Sequence, residues 1–227
     1  MRDAHRQFKD RLYGQFARLG KALSNPHRLE MLELLAQGER TVDSLATEIG
    51  LSLANTSQHL QTLRQAALVD SRKEGLFVFY RLADPAVFDL SRAIRTVAEH
   101  QLADLQRLVR EHFGERSHAQ PVEMDELLKR ARSRNVVVLD TRPANEYAAG
   151  HIPGALSVPV DDLQRQLRQF PKDKDYVAYC RGPYCVYADR AVEILRSHGR
   201  RARRLREGFP EWRAAGLPVE TGLHAGL

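Results

Sequence analysis

The sequence predicts two domains: a mainly α half, built as a helix-turn-helix with a β-hairpin wing, and then an α/β half with a parallel sheet. Three observations predict it. Up to about His112, apolar residues recur at helical spacing. Gly114-Glu115-Arg116-Ser117-His118-Ala119-Gln120-Pro121 is then a polar stretch closed by a proline, the composition of a linker. Beyond it, short β-branched runs alternate with helical segments, the pattern of a parallel α/β sheet. The expected partition is 1–113 for the first domain, 114–121 for the linker and 122–227 for the second domain. With 43% hydrophobic and 28% charged residues, the chain of 227 has enough apolar side chains for two small cores.

In the first half, Phe16, Leu19 and Leu23, then Leu29, Leu32, Leu34 and Leu35, describe two helices separated at Asn25-Pro26, with Pro26 suited to a first helical position. Thr41 precedes a short amphipathic helix carrying Val42, Leu45, Ala46 and Ile49, stopped at Gly50. Ser52 can cap the next helix, which runs through Leu60 and Leu63. Short helix, glycine turn and second helix make a helix-turn-helix. Residues 68–82 alternate on both sides of a charged turn containing Gly75, which reads as a hairpin. Pro85 opens one long helix to about His112, with Val87, Leu90, Ile94, Val97, Leu102, Leu105 and Leu108 apolar. That is more apolar surface than one small domain covers, so this helix and the first are expected to pair in a homodimer.

The net charge of +6 permits nucleic acid as a partner. The first half, however, holds only +2 of it, so DNA binding must be argued from motif and geometry. The longest apolar runs, such as Val136–Leu139, are strand-sized, which argues against a membrane span. The first residues carry charge without a following apolar stretch, so no signal peptide is expected and the cytoplasm is the expected location.

Lys21-Ala22-Leu23-Ser24-Asn25-Pro26-His27-Arg28-Leu29, Gly50-Leu51-Ser52, Ser57-Gln58-His59-Leu60 with Leu63, and Val78-Phe79-Tyr80-Arg81-Leu82 together resemble the ArsR family of winged-helix repressors. The resemblance covers about residues 10–112 and implies a homodimer that binds an inverted-repeat, double-stranded operator through paired recognition helices. With Thr56, Leu60 and Leu63 turned to the core, Ala54, Ser57, Gln58 and Gln61 project outward from the second helix. Gln58 can hydrogen-bond adenine in the major groove, and Ser57 can reach base or phosphate; Leu53 and Ala54 offer apolar contact. Arg72 and Lys73 are expected at the wing tip, neutralising phosphates. The residues Thr41-Val42-Asp43-Ser44-Leu45 lack the cysteine pair of thiolate-binding members, and His100 and His112 do not form the zinc sensors' set, so neither metal nor cofactor is expected.

In the second half, Val136–Arg142, Glu146-Tyr147, Gly150–Ala155, Tyr179-Cys180-Arg181-Gly182-Pro183-Tyr184-Cys185, Gly208-Phe209-Pro210-Glu211-Trp212 and Ala215–Val219 look like a rhodanese domain, over about residues 120–221. The chemistry can be argued from the residues themselves. Tyr176–Tyr179 reads as a buried strand that delivers Cys180 to its C-terminal end, followed by a short loop and a helix from about Val186 to His198. Backbone N–H groups of the loop that runs through Gly182, Pro183 and Tyr184 (the proline itself donating none) and the positive end of the helix favour thiolate over thiol. Arg181 adds a cation for an anionic donor such as thiosulfate. Asp140, Arg142 and Glu146 are expected to support the fold through ion pairs, and His151 to sit in a turn.

Against common rhodaneses the loop glycine falls one place early, and Cys185 takes a position often held by another residue. That points to a dithiol site in which Cys185 resolves a Cys180 persulfide. Six residues after Cys180 stands Val186, not the arginine of a phosphatase loop, so phosphoryl transfer loses ground. Arg200, Arg201, Arg203, Arg204 and Arg206 read first as a solvated strand edge, and otherwise as a platform for DNA or an acidic partner. The expected function is a DNA-binding regulator, a repressor, that accepts or senses sulfane sulfur from thiosulfate, a persulfide or a polysulfide. The alternatives are a sulfurtransferase whose winged helix only dimerises, and a dithiol sensor of redox state or of a soft metalloid.

Overall fold

A computed structural model of the chain describes residues 2–114, 121–132 and 136–223. It divides into two compact units, Met1–Ile94 and Arg95–Leu227. Most of the linker expected at 114–121 lies outside the described residues. Among those described, no helix is long and apolar enough to cross a membrane.

The first unit runs α1 (Arg2–Leu23), α2 (Pro26–Gln37), β1 (Arg40–Thr41), α3 (Val42–Ile49), α4 (Leu53–Gln65), β2 (Val69–Glu74) and β3 (Phe77–Leu82), ending within α5 (Pro85–Gln101). Local chemistry sets its helix boundaries. Asn25, Thr41 and Ser52 have extended backbones, and their side chains accept from Arg28, Ser44 and Asn55 N–H groups, satisfying donors that each helix start leaves open. Gly50 ends α3 at φ 74°, in the left-handed region where a Cβ is penalised. Leu32, Leu35, Leu45, Leu60, Leu63, Val69 and Tyr80 form the core, with Val87 of α5 closing it. The wing is a three-stranded antiparallel sheet in order β1-β3-β2. Its third strand, two residues long, was not expected: Arg40 and Thr41 pair with Tyr80 and Phe79.

The long helix expected after Pro85 is two. It stops at Gln101, Leu102 is extended (φ −102°, ψ 100°), and α6 occupies Ala103–Phe113. The break leaves carbonyls near the end of α5 without helical partners, and the Gln106 amide donates to one of them, Glu99 O, at 2.8 Å.

The second unit adds α7 (Met124–Arg132), β4 (Val136–Asp140), α8 (Ala144–Ala149), β5 (Leu156–Ser157), α9 (Val160–Gln166) with a 3-10 turn (Leu167–Gln169), β6 (Asp175–Tyr179), α10 (Val186–Ser197), β7 (Arg201–Arg204) and α11 (Phe209–Ala214). Its four strands form a parallel sheet in order β5-β4-β6-β7. A sheet covered on both faces needs strands that are largely apolar, and β4 and β6 are, apart from Asp140 at the end of one and Asp175 at the start of the other. Leu139, Tyr176, Ala178 and then Cys180 pack on one face with α9 and α10; Val138, Val177 and Tyr179 pack on the other with Leu127, Tyr147, Phe209 and Trp212. The alternation places Cys180, 1% exposed, on the α10 side at the C-terminal end of β6.

Candidate functional site

The loop between β6 and α10 joins Cys180 to Cys185 by a disulfide, with Cα atoms 6.1 Å apart. Cys185 is the N-cap of α10 and makes no side-chain capping bond, so its sulfur sits at the positive end of that helix. Each residue between the cysteines has a fixed anchor. Arg181 forks onto Glu146 at 2.6 to 3.1 Å. Gly182 O accepts from Cys185 N at 3.2 Å, and Pro183 O from Arg204 Nη2 at 2.7 Å. The Tyr184 hydroxyl donates to Glu99 Oε1 at 2.6 Å. Burial first, and then that bond, push the Tyr184 hydroxyl pKa above its ordinary value, so it stays a neutral donor. Across from the loop, Phe209 N donates to Cys180 O at 3.0 Å, and Gly208 lies against the Arg181–Gly182 peptide so closely that any Cβ there would overlap it.

Arg181 therefore does not stand open to an anion as expected. Glu146 is only 3% exposed, and a carboxylate so buried requires a cation, which Arg181 supplies. Beneath it Asp140 and Arg142 are a fully buried pair, 2.6 Å apart. Asp140 also accepts from the Tyr179 hydroxyl at 2.6 Å, and Arg142 donates to Gly150 O at 2.7 Å. Burial, then the adjacent Asp140 charge, raise the Tyr179 pKa well above its usual value. These three acid and base residues thus brace the C-terminal ends of β4 and β6 without facing solvent.

One other expectation is corrected. His151 does not sit in the turn itself: it forms an isolated bridge with Glu220 just before it, and is fully buried, stacked on Tyr147 with centroids 3.7 Å apart, its Nδ1 2.9 Å from Tyr147 O. The arginine run lies on and beside the edge strand β7, with Arg201 and Arg206 exposed, and its charges are paired within the second unit. Arg200 is buried against the Phe170 and Leu167 carbonyls, while Arg201, Arg203, Arg204 and Arg206 pair with Asp175, Glu126, Asp189 and Glu123.

In the first unit α4 buries Thr56, Leu60 and Leu63, while Ala54, Gln58 and Gln61 are exposed and Ser57 is half-buried, so the four share the outward side. Lys73 is exposed on β2. Arg72 is drawn away from the wing tip: it pairs with Glu39 at 2.8 Å and with Glu74, and lies over the Phe79 ring, so any phosphate must compete with two carboxylates. The tip itself is Gly75 and Leu76, the latter 96% exposed. His59 on α4 stays more readily neutral than usual, because burial, Arg28 and His27 all disfavour its charge.

Sequence reasoning passed over Glu99, and it quoted Tyr179, Gly208 and Glu211 as parts of motifs without giving any of them a role of its own. One signal was available: Gly208 followed three residues later by Glu211 is the spacing at which a side chain reaches back to a helix start, and Glu211 Oε2 does accept from Gly208 N at 3.1 Å. Among the described residues, no group of three or more His, Cys, Asp or Glu side chains could hold a metal ion.

Comparison with known proteins gives two family matches: bacterial regulatory protein, arsR family, over residues 25–71, and rhodanese-like domain, over residues 123–215. The HTH-type transcriptional regulator Rv0324 of Mycobacterium tuberculosis is 44% identical over 218 residues, covering 96% of each chain. A sulfurtransferase of Allochromatium vinosum is 35% identical over 89 residues, 39% of this chain and 82% of that protein. A winged helix-turn-helix DNA-binding domain from Mycobacterium bovis, described as homodimeric, is 44% identical, covers 42% of this chain and 89% of that one, and has a TM-score of 0.40.

Proposed function

This chain belongs to the transcriptional regulators that join an ArsR-type helix-turn-helix to a rhodanese-like domain, and from that premise we propose that it binds operator DNA as a homodimeric repressor in the cytoplasm and answers to sulfane sulfur through Cys180 and Cys185. The carrying observation is the joined Cys180–Cys185 pair at the end of β6, where parallel sheets place their chemistry. Cys180 thiolate attacks the sulfane sulfur of a persulfide, R–S–SH, forming a Cys180 persulfide and releasing R–SH. Cys185 thiolate then attacks Cys180 Sγ, expelling hydrosulfide and leaving the disulfide. The sulfane sulfur is reduced to hydrosulfide and the two thiols are oxidised, so the donor is the oxidant. A small persulfide or polysulfide suits this site better than thiosulfate, because Glu146 already neutralises Arg181.

On the DNA side, Gln58 and Ser57 read bases from α4, with Ala54 and Gln61 beside them, and Lys73 contacts phosphate. The exposed apolar residues Phe8, Leu12, Tyr13 and Phe16 of α1 and Val97 of α5 support pairing of two copies. Selection of bound DNA from a random pool by the full chain, with and without polysulfide, tests the reading. One enriched inverted repeat, lost from the polysulfide-treated arm and retained by Cys180→Ser in both, is the expected result. No enriched sequence in either arm overturns DNA binding; the same enrichment in both overturns the sulfur response. The likeness to a sulfurtransferase favours a second reading, turnover from a sulfur donor to an acceptor thiol. Steady-state release of hydrosulfide, abolished in Cys180→Ala and unaccompanied by sequence-specific binding, would establish that one instead.

A further inference from the structure

Two residues of α5, one turn apart, hold the two ends of the thiol loop. Both belong to the second unit, which begins at Arg95. At the Cys185 end, Glu99 Oε1 accepts from the hydroxyl of Tyr184, the residue directly before Cys185, at 2.6 Å. At the Cys180 end the link has three steps. Arg95 Nη2 pairs with Glu211 Oε1 at 2.9 Å; Glu211 Oε2 accepts from Gly208 N at 3.1 Å; and the next N–H, of Phe209, donates to Cys180 O at 3.0 Å. Glu211 is 3% exposed and Arg95 27%, so this ion pair is shielded from solvent. Arg95 and Glu99 lie 3.7 Å apart along the helix, which makes the two arms one bracket. Gly208 has no room to yield, since it already touches the Arg181–Gly182 peptide.

Given this geometry, we infer that Arg95 and Glu99 are positioning residues for the cysteine pair, and that through them the dithiol–disulfide equilibrium is coupled to helix α5. Building on the sulfur chemistry proposed above, the bracket names the route by which that chemistry reaches a helix. Closing or opening the disulfide changes the separation of residues 180 and 185, and the arms hold both ends of that span. Whichever state the bracket fits better it favours, and by linkage that state favours the bracketed position of α5 by the same factor. Helix α5 begins at Pro85, so one continuous helix carries residues of both units.

The test equilibrates the full-length chain with glutathione buffers of graded potential and counts free thiols at 180 and 185 by alkylation and mass spectrometry. Tyr184→Phe and Glu99→Ala are expected to shift the equilibrium constant in the same direction by about three- to tenfold, up to roughly 30 mV for this two-electron couple. The double variant should shift it no further than either alone, and Glu99→Gln, which keeps an acceptor oxygen, should lie near wild type. Thermal unfolding of each variant identifies any that misfolds; Tyr184→Phe, which removes one oxygen, then decides alone. An unchanged constant in folded Tyr184→Phe overturns the inference. If the constants shift but wild-type operator affinity is the same for dithiol and disulfide protein, the bracket stands and the regulatory reading falls.

Discussion

Substituting Gly208 with alanine isolates the contact on which the loop's placement depends. The residue has φ −106°, a conformation open to any amino acid, so backbone strain gives no reason for glycine. The reason is space. A Cβ built at Gly208 would lie 2.5 Å from the Arg181 carbonyl oxygen, with the Arg181 carbonyl carbon and Gly182 nitrogen also inside contact distance. That is roughly 1 Å short of the ~3.5 Å at which non-bonded atoms meet, and the obstacles are backbone atoms that cannot rotate aside. Relief requires the β7–α11 turn and the cysteine loop to separate, which breaks the Phe209 N–H bond to Cys180 O. Overpacking of this kind costs about 3 kcal/mol, the upper part of its usual range.

Urea unfolding read by fluorescence of Trp212 suits the measurement, because it is the only tryptophan and lies buried four residues further on. Gly154→Ala is the matched control: φ 71° strains any side chain, but beyond its own chain neighbours no atom of the described residues lies within 4 Å of the added Cβ, so it should cost only about 1–2 kcal/mol. A rule based on φ alone predicts the opposite order. Gly208→Ala unfolding at the wild-type midpoint would refute the contact.

The remaining predictions concern charge and recognition. Asp140→Ala leaves Arg142 buried without its carboxylate and should cost about 3–5 kcal/mol in the same assay, whereas replacing both by apolar residues of similar volume should cost much less. Glu207 has a buried oxygen without a hydrogen-bond partner among the described residues, and burial first, then Glu123 and Glu211, raise its pKa. A carboxyl whose folded pKa is raised favours the fold when protonated, and that contribution is lost as pH rises through the folded pKa. Glu207→Gln should therefore be more stable than wild type at neutral pH, with the difference shrinking as acid protonates the carboxyl. In binding titrations on selected operator, Gln58→Ala should relax base preference at one position, by about 1–3 kcal/mol of discrimination, while Lys73→Ala should weaken all sequences alike and reduce the salt dependence by about one phosphate contact.

What the sequence made legible was local. The break at Asn25-Pro26, the helix start after Thr41, the cap Ser52 and the glycine stop at position 50 depend on neighbours a few residues away, and the structure has each in its expected place, with Asn25 and Thr41 acting as caps as well. The strand carrying Cys180 was equally plain, because a run apolar on both faces leaves few other fates. Residues whose meaning depends on distant partners were opaque. Arg203 meets Glu126 across 77 residues and Arg206 meets Glu123 across 83, so a basic run that looks free in one dimension is neutralised in three. Arg181 likewise looked like a ligand for anions until Glu146, 35 residues earlier, claimed it. Glu99 and Tyr184, 85 residues apart, carry no shared motif. The end of α5 at Gln101 also escaped, since Leu102 preserves the apolar pattern across the break.

The central claim, that sulfur at Cys180 and Cys185 governs DNA binding, is tested most directly by fluorescence anisotropy. Full-length protein is titrated onto labelled operator as the reduced dithiol and again after polysulfide has closed the disulfide. The account predicts dissociation constants that differ between the two states by about 5- to 150-fold, the range of ordinary allosteric coupling, and a Cys180→Ser protein that ignores polysulfide. Superimposable wild-type curves, with mass spectrometry verifying that the disulfide had formed, would contradict it.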